Sequence, residues 1–253
     1  ISKTFAKLKG YSCVEEIYST YYDFKCLIFL DEIPKKEDLE KLKNFMFKNY
    51  NKFGFFNKEN SNTNLQYRKH QEFTMQSMFA AEFLIYAQKE GIKLSDQIND
   101  LANAYKKEIM NFRGLSSKYY AYNLIKLINK QLIDKNLSKN LTEYVYSRFN
   151  YDGGFVDYFP NEKIDESSGH VPRFSKDQNI SHIFSTYEAY YLLNELKSLE
   201  SSYVKKIKVY LNNSPFDAES GYGHQIYVKQ FKKPWGKSGS LRETLQLLKF
   251  PFI

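Results

Sequence analysis

Glu188 lies inside "FSTYEAYYLL", residues 184–193, as a single acid among Tyr187, Tyr190 and Tyr191. Buried between rings, a carboxyl holds its proton to higher pH than usual and can serve as a general acid. On an exposed helical turn it is a solvated carboxylate. Metal chemistry has less to draw on. The chain offers Cys13, Cys26 and four histidines (His70, His170, His182, His224), none spaced as zinc ligands. The expectation is no metal and no cofactor. "WGKSGS", residues 235–240, contains the Gly-Lys-Ser of a phosphate loop, but Phe231 stands where that loop needs its first glycine. "KQFKKPWGK", residues 229–237, gathers Lys229, Lys232, Lys233 and Lys237 around the only tryptophan, Trp235, and reads as a basic loop. A diphosphate, an acidic peptide or a membrane surface would suit it.

These residues belong to a pattern that recurs. Aligned on Ser185, "STYEAYYLL" returns in weakened form as "STYYDFKCL" from Ser19, "SMFAAEFLI" from Ser77, "SKYYAYNLI" from Ser117 and "SLRETLQLL" from Ser240. Apolar positions in each copy recur at i, i+3, i+4 and i+7, the spacing of one helical face, and the leading serine suits a helix start. A second amphipathic stretch follows three of the kernels, and then a glycine-aromatic loop: "NKFGFF", "NYDGGFVDYF" or "DAESGYGHQIY". The Ser77 copy is degenerate, its second stretch leading only to "RGL". Irregular spacing around a constant kernel is what loop insertions in a helical array produce. An all-α chain of helical hairpins is expected, in one domain over residues 1–253, with kernels near 19–30, 77–88, 117–128, 185–196 and 240–250. With 42% hydrophobic residues in 253, the chain can bury a sizeable core, and no proline- or serine-rich linker divides it.

Helix pairs joined by a "DGGF" turn (Asp152 to Phe155) and followed by a Ser-Thr-Tyr helix resemble the prenyltransferase and squalene-oxidase repeat. The resemblance runs from Tyr18 to Phe250. It implies an α/α toroid of about five hairpins, fewer than that family usually has, in which inner helices line a funnel and outer helices wrap it. It further implies a terpene-cyclase or prenyltransferase-like activity on an isoprenoid or similar apolar substrate. The zinc ligands of protein prenyltransferases would fall at Glu15, Ile17 and Phe184, two of which cannot ligate. Neither the D-x-D-D acid motif of class II cyclases nor the D-D-x-x-D metal motif of class I synthases is present. On this likeness the substrate site is lined by Tyr21, Tyr22, Tyr119 and Tyr187, with Glu188 as the acid. His182, His224 and Trp235 come from loops, and Lys232 and Lys233 stand at the mouth.

Composition leaves other classes open. The chain has 22 Tyr and 21 Phe. Stacked rings suit an isoprenoid chain or its carbocations, and tyrosines equally suit sugars. A non-catalytic toroid holding a peptide, lipid or protein, and a carbohydrate-active α/α toroid, are therefore the alternatives. A third reading is an aromatic-rich core without a ligand. Net charge is +8, yet most lysines alternate with acids along the second helix of each pair, as on a solvated face. No nucleic-acid module and no Arg-rich stripe is present, which argues against a nucleic-acid partner. Peripheral membrane contact remains compatible with the basic loop, and there is no transmembrane run. Two unpartnered cysteines fit a reducing, cytoplasmic setting unless Ile1 is a signal-cleavage product.

Overall fold

The computed structural model describes residues 17–32, 34–51, 54–55, 67–94, 96–157, 181–213, 216–217, 221–222, 226–228, 233–235 and 248–251. Among these the chain is mainly helical: α1 (Ile17–Phe29), α2 (Lys36–Lys48), α3 (Tyr67–Lys89), α4 (Gln97–Glu108), α5 (Leu115–Asn129), α6 (Lys135–Tyr146), α7 (Ile183–Glu195) and α8 (Ser201–Asn212). Three two-stranded antiparallel ribbons accompany them: β1 (Tyr50–Asn51) with β2 (Gly54–Phe55), β3 (Phe216–Asp217) with β4 (Gly221–Tyr222), and β5 (Ile226–Val228) with β6 (Lys233–Trp235). The all-α expectation holds.

The chain divides into two compact units. One comprises residues 1–112 and 120–133, the other residues 113–119 and 134–253, so α5 gives its first turn to the second unit and its remaining turns to the first. In the first unit α3 is the central helix. Phe73, Ala80, Ala81, Phe83, Leu84 and Ala87 are all buried along it, and α1, α2 and β2 pack on it. The face that α1 presents to it carries Ile17, Tyr21 and Phe24 at i, i+4 and i+7. Helix α2 follows Pro34 and opens with Glu37 and Asp38, its acids at the positive end of the helix dipole and Lys48 at the other. It buries Leu39 and Met46. Helix α4 buries Ile98, Leu101, Ala102 and Tyr105, again one stripe.

In the second unit Asp134 caps α6 by accepting from the Leu137 N–H at 2.8 Å. Leu137, Leu141 and Val145 form its buried stripe, and α6 packs on α7. Helix α8 buries Ile207, Tyr210 and Leu211.

Three of the first helices of the hairpins end in one local geometry. At the close of α3, Gly91 is left-handed (φ +82°), with Gly91 N–H bonded to Gln88 C=O and Ile92 N–H to Ala87 C=O. Helix α1 repeats this at Asp31 (φ +55°) with bonds to Ile28 and Leu27, and α7 at Lys197 (φ +54°) with bonds to Asn194 and Leu193. This cap satisfies carbonyls that a helix end leaves orphaned.

The helix–helix–loop order of the sequence is also found. After α2, Tyr50 pairs with Phe55 and Asn51 with Gly54. After α6, Phe149 pairs with Phe155. After α8, Phe216 pairs with Tyr222 and Asp217 with Gly221. Residues 109–114, after α4, form no strand, as the shortened "RGL" implied.

Three expectations need correcting. Ser77 is not at a helix start: α3 begins at Tyr67, and Ser77 lies in its middle. Nor do Ser117 and Ser185 cap their helices; His182 caps α7, and Asp157 reaches the start of α5. The stretch around Lys233 is not wholly loop either, since Ile226, Tyr227 and Val228 pair with Trp235, Pro234 and Lys233. The β-branched and aromatic run Ile226–Val228 has strand propensity that the charged context obscured. The Ser240 kernel lies outside the described residues up to 247.

Candidate functional site

Two of the glycine-aromatic loops are fastened by the helix that follows them. The backbone N–H of Phe55 donates to Ser77 Oγ on α3 at 2.9 Å. In the second unit the N–H of Phe155 donates to Thr186 Oγ1 on α7 at 3.0 Å. Ser77 therefore corresponds to Thr186, one residue later than the alignment on Ser185 proposed. Gly153 (φ +92°) takes the conformation that side chains avoid and lies against Lys206 C=O of α8. Asp152 closes the turn, accepting from the N–H of Gly154 at 3.1 Å, from the N–H of Ser181 at 3.0 Å and from Ser181 Oγ. In α5, which has no such loop before it, the aligned residue is Lys118. It is buried to 1% exposure, its Nζ 4.2 Å from the centre of the Tyr144 ring, and Arg148 lies 4.4 Å from the same ring.

These fastenings position two aromatic clusters, one in each unit. In the first unit Tyr21 of α1 stacks on Phe79 of α3 with centroids 4.1 Å apart and planes 1° from parallel. Tyr22 stands edge-on to both, at 5.4 and 5.8 Å, and Tyr120 of α5 edge-on to Phe79 at 6.1 Å. Tyr22 is 46% exposed, so the cluster opens outward. Glu82 stands beside it, accepting from Tyr21 Oη at 2.6 Å and from Lys25 Nζ at 2.7 Å. Burial, and then the Glu82 carboxylate, push the Tyr21 phenol far above its ordinary range. It is a hydrogen-bond donor at any physiological pH and not a base.

In the second unit Tyr191 of α7 lies between Tyr119 of α5 at 5.3 Å and Tyr187 at 6.2 Å. Phe250 closes the other side of Tyr187 at 5.5 Å and meets Tyr190 at 5.3 Å. Burial raises the Tyr187 phenol.

Glu188 is not on an exposed turn. It is 4% exposed and accepts from Ser116 Oγ at 2.6 Å. The same serine donates its backbone N–H to Asp157 Oδ1 at 2.8 Å. Asp157, 7% exposed, was not singled out from the sequence. Burial pushes its carboxyl up to about 6, against the lowering effect of the Ser116 and Leu115 amides, the Ser116 side chain and Arg148. Only its place two residues after the "DGGF" turn could have marked it. His182 is buried; its Nδ1 accepts from the Phe184 N–H at 3.3 Å, so it caps α7.

Of the residues expected at the site, Tyr21 and Tyr22 thus meet in the first unit. Tyr119 and Tyr187 converge on Tyr191 in the second, and Glu188 and His182 serve helix starts. Lys233 and Trp235 lie on β6; Lys232 and His224 lie outside the described residues. Ile17, expected at a zinc-ligand place, is a buried core residue. Among the described residues no group of three or more His, Cys, Asp or Glu is arranged to hold a metal, and no helix is long and apolar enough to cross a membrane. No family model, curated protein or solved structure matches the chain.

Proposed function

We propose that this chain is a helical-hairpin domain of the α/α-toroid kind that binds an apolar, isoprenoid-like ligand on aromatic inner helices, as a divergent relative of the prenyltransferase-type repeat. The observation that carries the reading is the outward-opening cluster of Tyr21, Tyr22, Phe79 and Tyr120. Aromatic walls with few fixed polar groups are what apolar ligands select. Lys25 and Glu82, paired beside the rings, supply the polar rim. The recurrent caps and loop fastenings support the repeat architecture behind this proposal. Binding is favoured over catalysis because Glu188, the expected acid, is spent on the first turn of α5.

The test is a fluorescence titration with farnesol and with a non-hydrolysable farnesyl diphosphate analogue. Tyr22→Ala should weaken both about tenfold, since a ring contact contributes about 0.5–1.5 kcal/mol beyond the area it buries. No binding of either compound refutes the isoprenoid reading and leaves the peptide- or sugar-binding alternatives.

A further inference from the structure

Lys25 marks a place that takes a cation. Its Nζ lies 2.7 Å from Glu82 Oε1 and 5.8 Å from the centre of the Tyr21 ring. We propose that the ligand of this aromatic cluster carries an ammonium head, which takes the place of Lys25 Nζ between the Glu82 carboxylate and the Tyr21 ring while its apolar part lies on the rings. This head group presupposes the apolar site proposed above and gives its ligand a charge.

The fixed charge at this rim is negative. Glu82 is held from two sides: Tyr21 Oη donates to Oε2 at 2.6 Å and Lys25 Nζ to Oε1 at 2.7 Å. Tyr21 is buried and pinned by its stack on Phe79, with centroids 4.1 Å apart. Lys25 is the movable partner. Its side chain is 47% exposed against 28% for Glu82. An exposed ion pair contributes little, so an incoming ammonium loses little by displacing it. The face of the Tyr21 ring adds to the attraction, because a cation within about 6 Å of a ring centre is drawn to the negative face of the π system. Tyr22, edge-on to Tyr21 and 46% exposed, leaves the cluster open to solvent.

An anionic head fares worse in this geometry. It pairs with Lys25 only by drawing that lysine off Glu82, and the carboxylate, still held by Tyr21, is then left beside a like charge. A neutral hydroxyl leaves the Lys25–Glu82 pair in place and gains the rings alone. A primary ammonium repeats what Lys25 already does, since it brings three N–H donors and no acceptor to a carboxylate beside a ring. The expected order of affinity on one tail is therefore ammonium, then hydroxyl, then phosphate.

Titration of the whole chain with farnesylamine, farnesol and farnesyl phosphate at about pH 7, where an alkyl amine is protonated, compares three heads on one tail. Farnesylamine should bind at least about fivefold more tightly than farnesol, and farnesyl phosphate more weakly than farnesol. Raising the salt from about 0.05 M to about 0.5 M should narrow the farnesylamine-to-farnesol ratio. In Lys25→Met, where no resident ammonium competes, that ratio should rise about threefold or more. In Glu82→Gln it should fall by at least about threefold. A wild-type ratio near or below one while farnesol binds overturns the ammonium head and leaves the apolar site standing. A ratio that Glu82→Gln does not lower overturns it as well. If Glu82→Gln does not fold, Lys25→Met decides, and a ratio no higher than that of wild type overturns the proposal. Failure of all three compounds to bind is a failure of the apolar site itself, and the ammonium head falls with it.

Discussion

Gly154→Ala isolates the fastening of the glycine-aromatic loop. Gly154 is not in the left-handed region, so an alanine there meets only a packing problem. Its Cβ would stand 2.5 Å from Ser181 Cβ, 2.9 Å from Thr186 Oγ1 and 3.0 Å from Ser181 Oγ. Ser181 cannot swing aside cheaply, because its N–H and hydroxyl are both held by Asp152. The loop must therefore lift, and the bond from Phe155 N–H to Thr186 Oγ1 is the first to go. Overpacking costs about 1–3 kcal/mol, and a buried N–H left unpaired about 1–3 kcal/mol. Part of the second cost replaces part of the first, so a loss of about 3 kcal/mol is expected. Thr186→Val keeps the side chain's shape and removes its hydroxyl, the acceptor of the Phe155 bond and a neighbour of the Tyr210 phenol, for a loss of about 1–2 kcal/mol. Urea unfolding of both single variants and the double variant gives the cycle. Because both changes break one bond, the double variant should fall short of the sum by about 1 kcal/mol. A Gly154→Ala loss under about 0.5 kcal/mol, or costs that add fully, refutes the reasoning.

Two further outcomes follow from the same geometry. An Asp157 carboxyl held at about 6 in the folded chain, against 3.8 in the unfolded one, corresponds to about 3 kcal/mol. Urea unfolding between about pH 4 and pH 7.5 should show wild type losing that much relative to Asp157→Asn as pH rises; a relative gain would mean that Arg148 outweighs burial. Lys197 holds a left-handed cap that glycine takes without penalty, so Lys197→Gly should stabilise the chain by about 0.5–1 kcal/mol, read as a higher thermal midpoint.

The helices and their order were legible because apolar spacing near 3.6 is a local property, present within each kernel. The loops were legible because Gly-Gly before an aromatic restricts what the backbone there can do. What the sequence hid was the choice of distant partners. Ser77 and Ser185 look equivalent in an alignment, yet Thr186 does for Phe155 what Ser77 does for Phe55, since a one-residue offset in helical register is invisible to type matching. Asp31 and Lys197 close their helices where a glycine would have announced the cap. Lys118 reads as a surface lysine in "SSKYY", but with no loop before α5 its place is inside, over Tyr144. Glu188 was noticed for its tyrosine neighbours in sequence, and its hydrogen-bond partner is Ser116, far away along the chain.

The fastening of the first two loops by the helices that follow them has a bearing on where this chain can be divided. Phe55 follows α2 but is completed by α3, and Phe155 follows α6 but is completed by α7. The piece that satisfies its own polar groups is thus not a helical hairpin. It runs from a second helix, through the loop, into the first helix of the next pair. A cut made between a loop and the helix that follows it would strand a buried amide on one fragment and its acceptor on the other, whereas a cut at the capped turn after α1 falls where Phe29 and Leu30 are exposed. The stretches between loop and helix, residues 56–66 and 158–180, differ in length while the fastening stays the same. Growth of such a chain by duplication would keep its register by copying across the loop, and would be free to vary in the connection just beyond it.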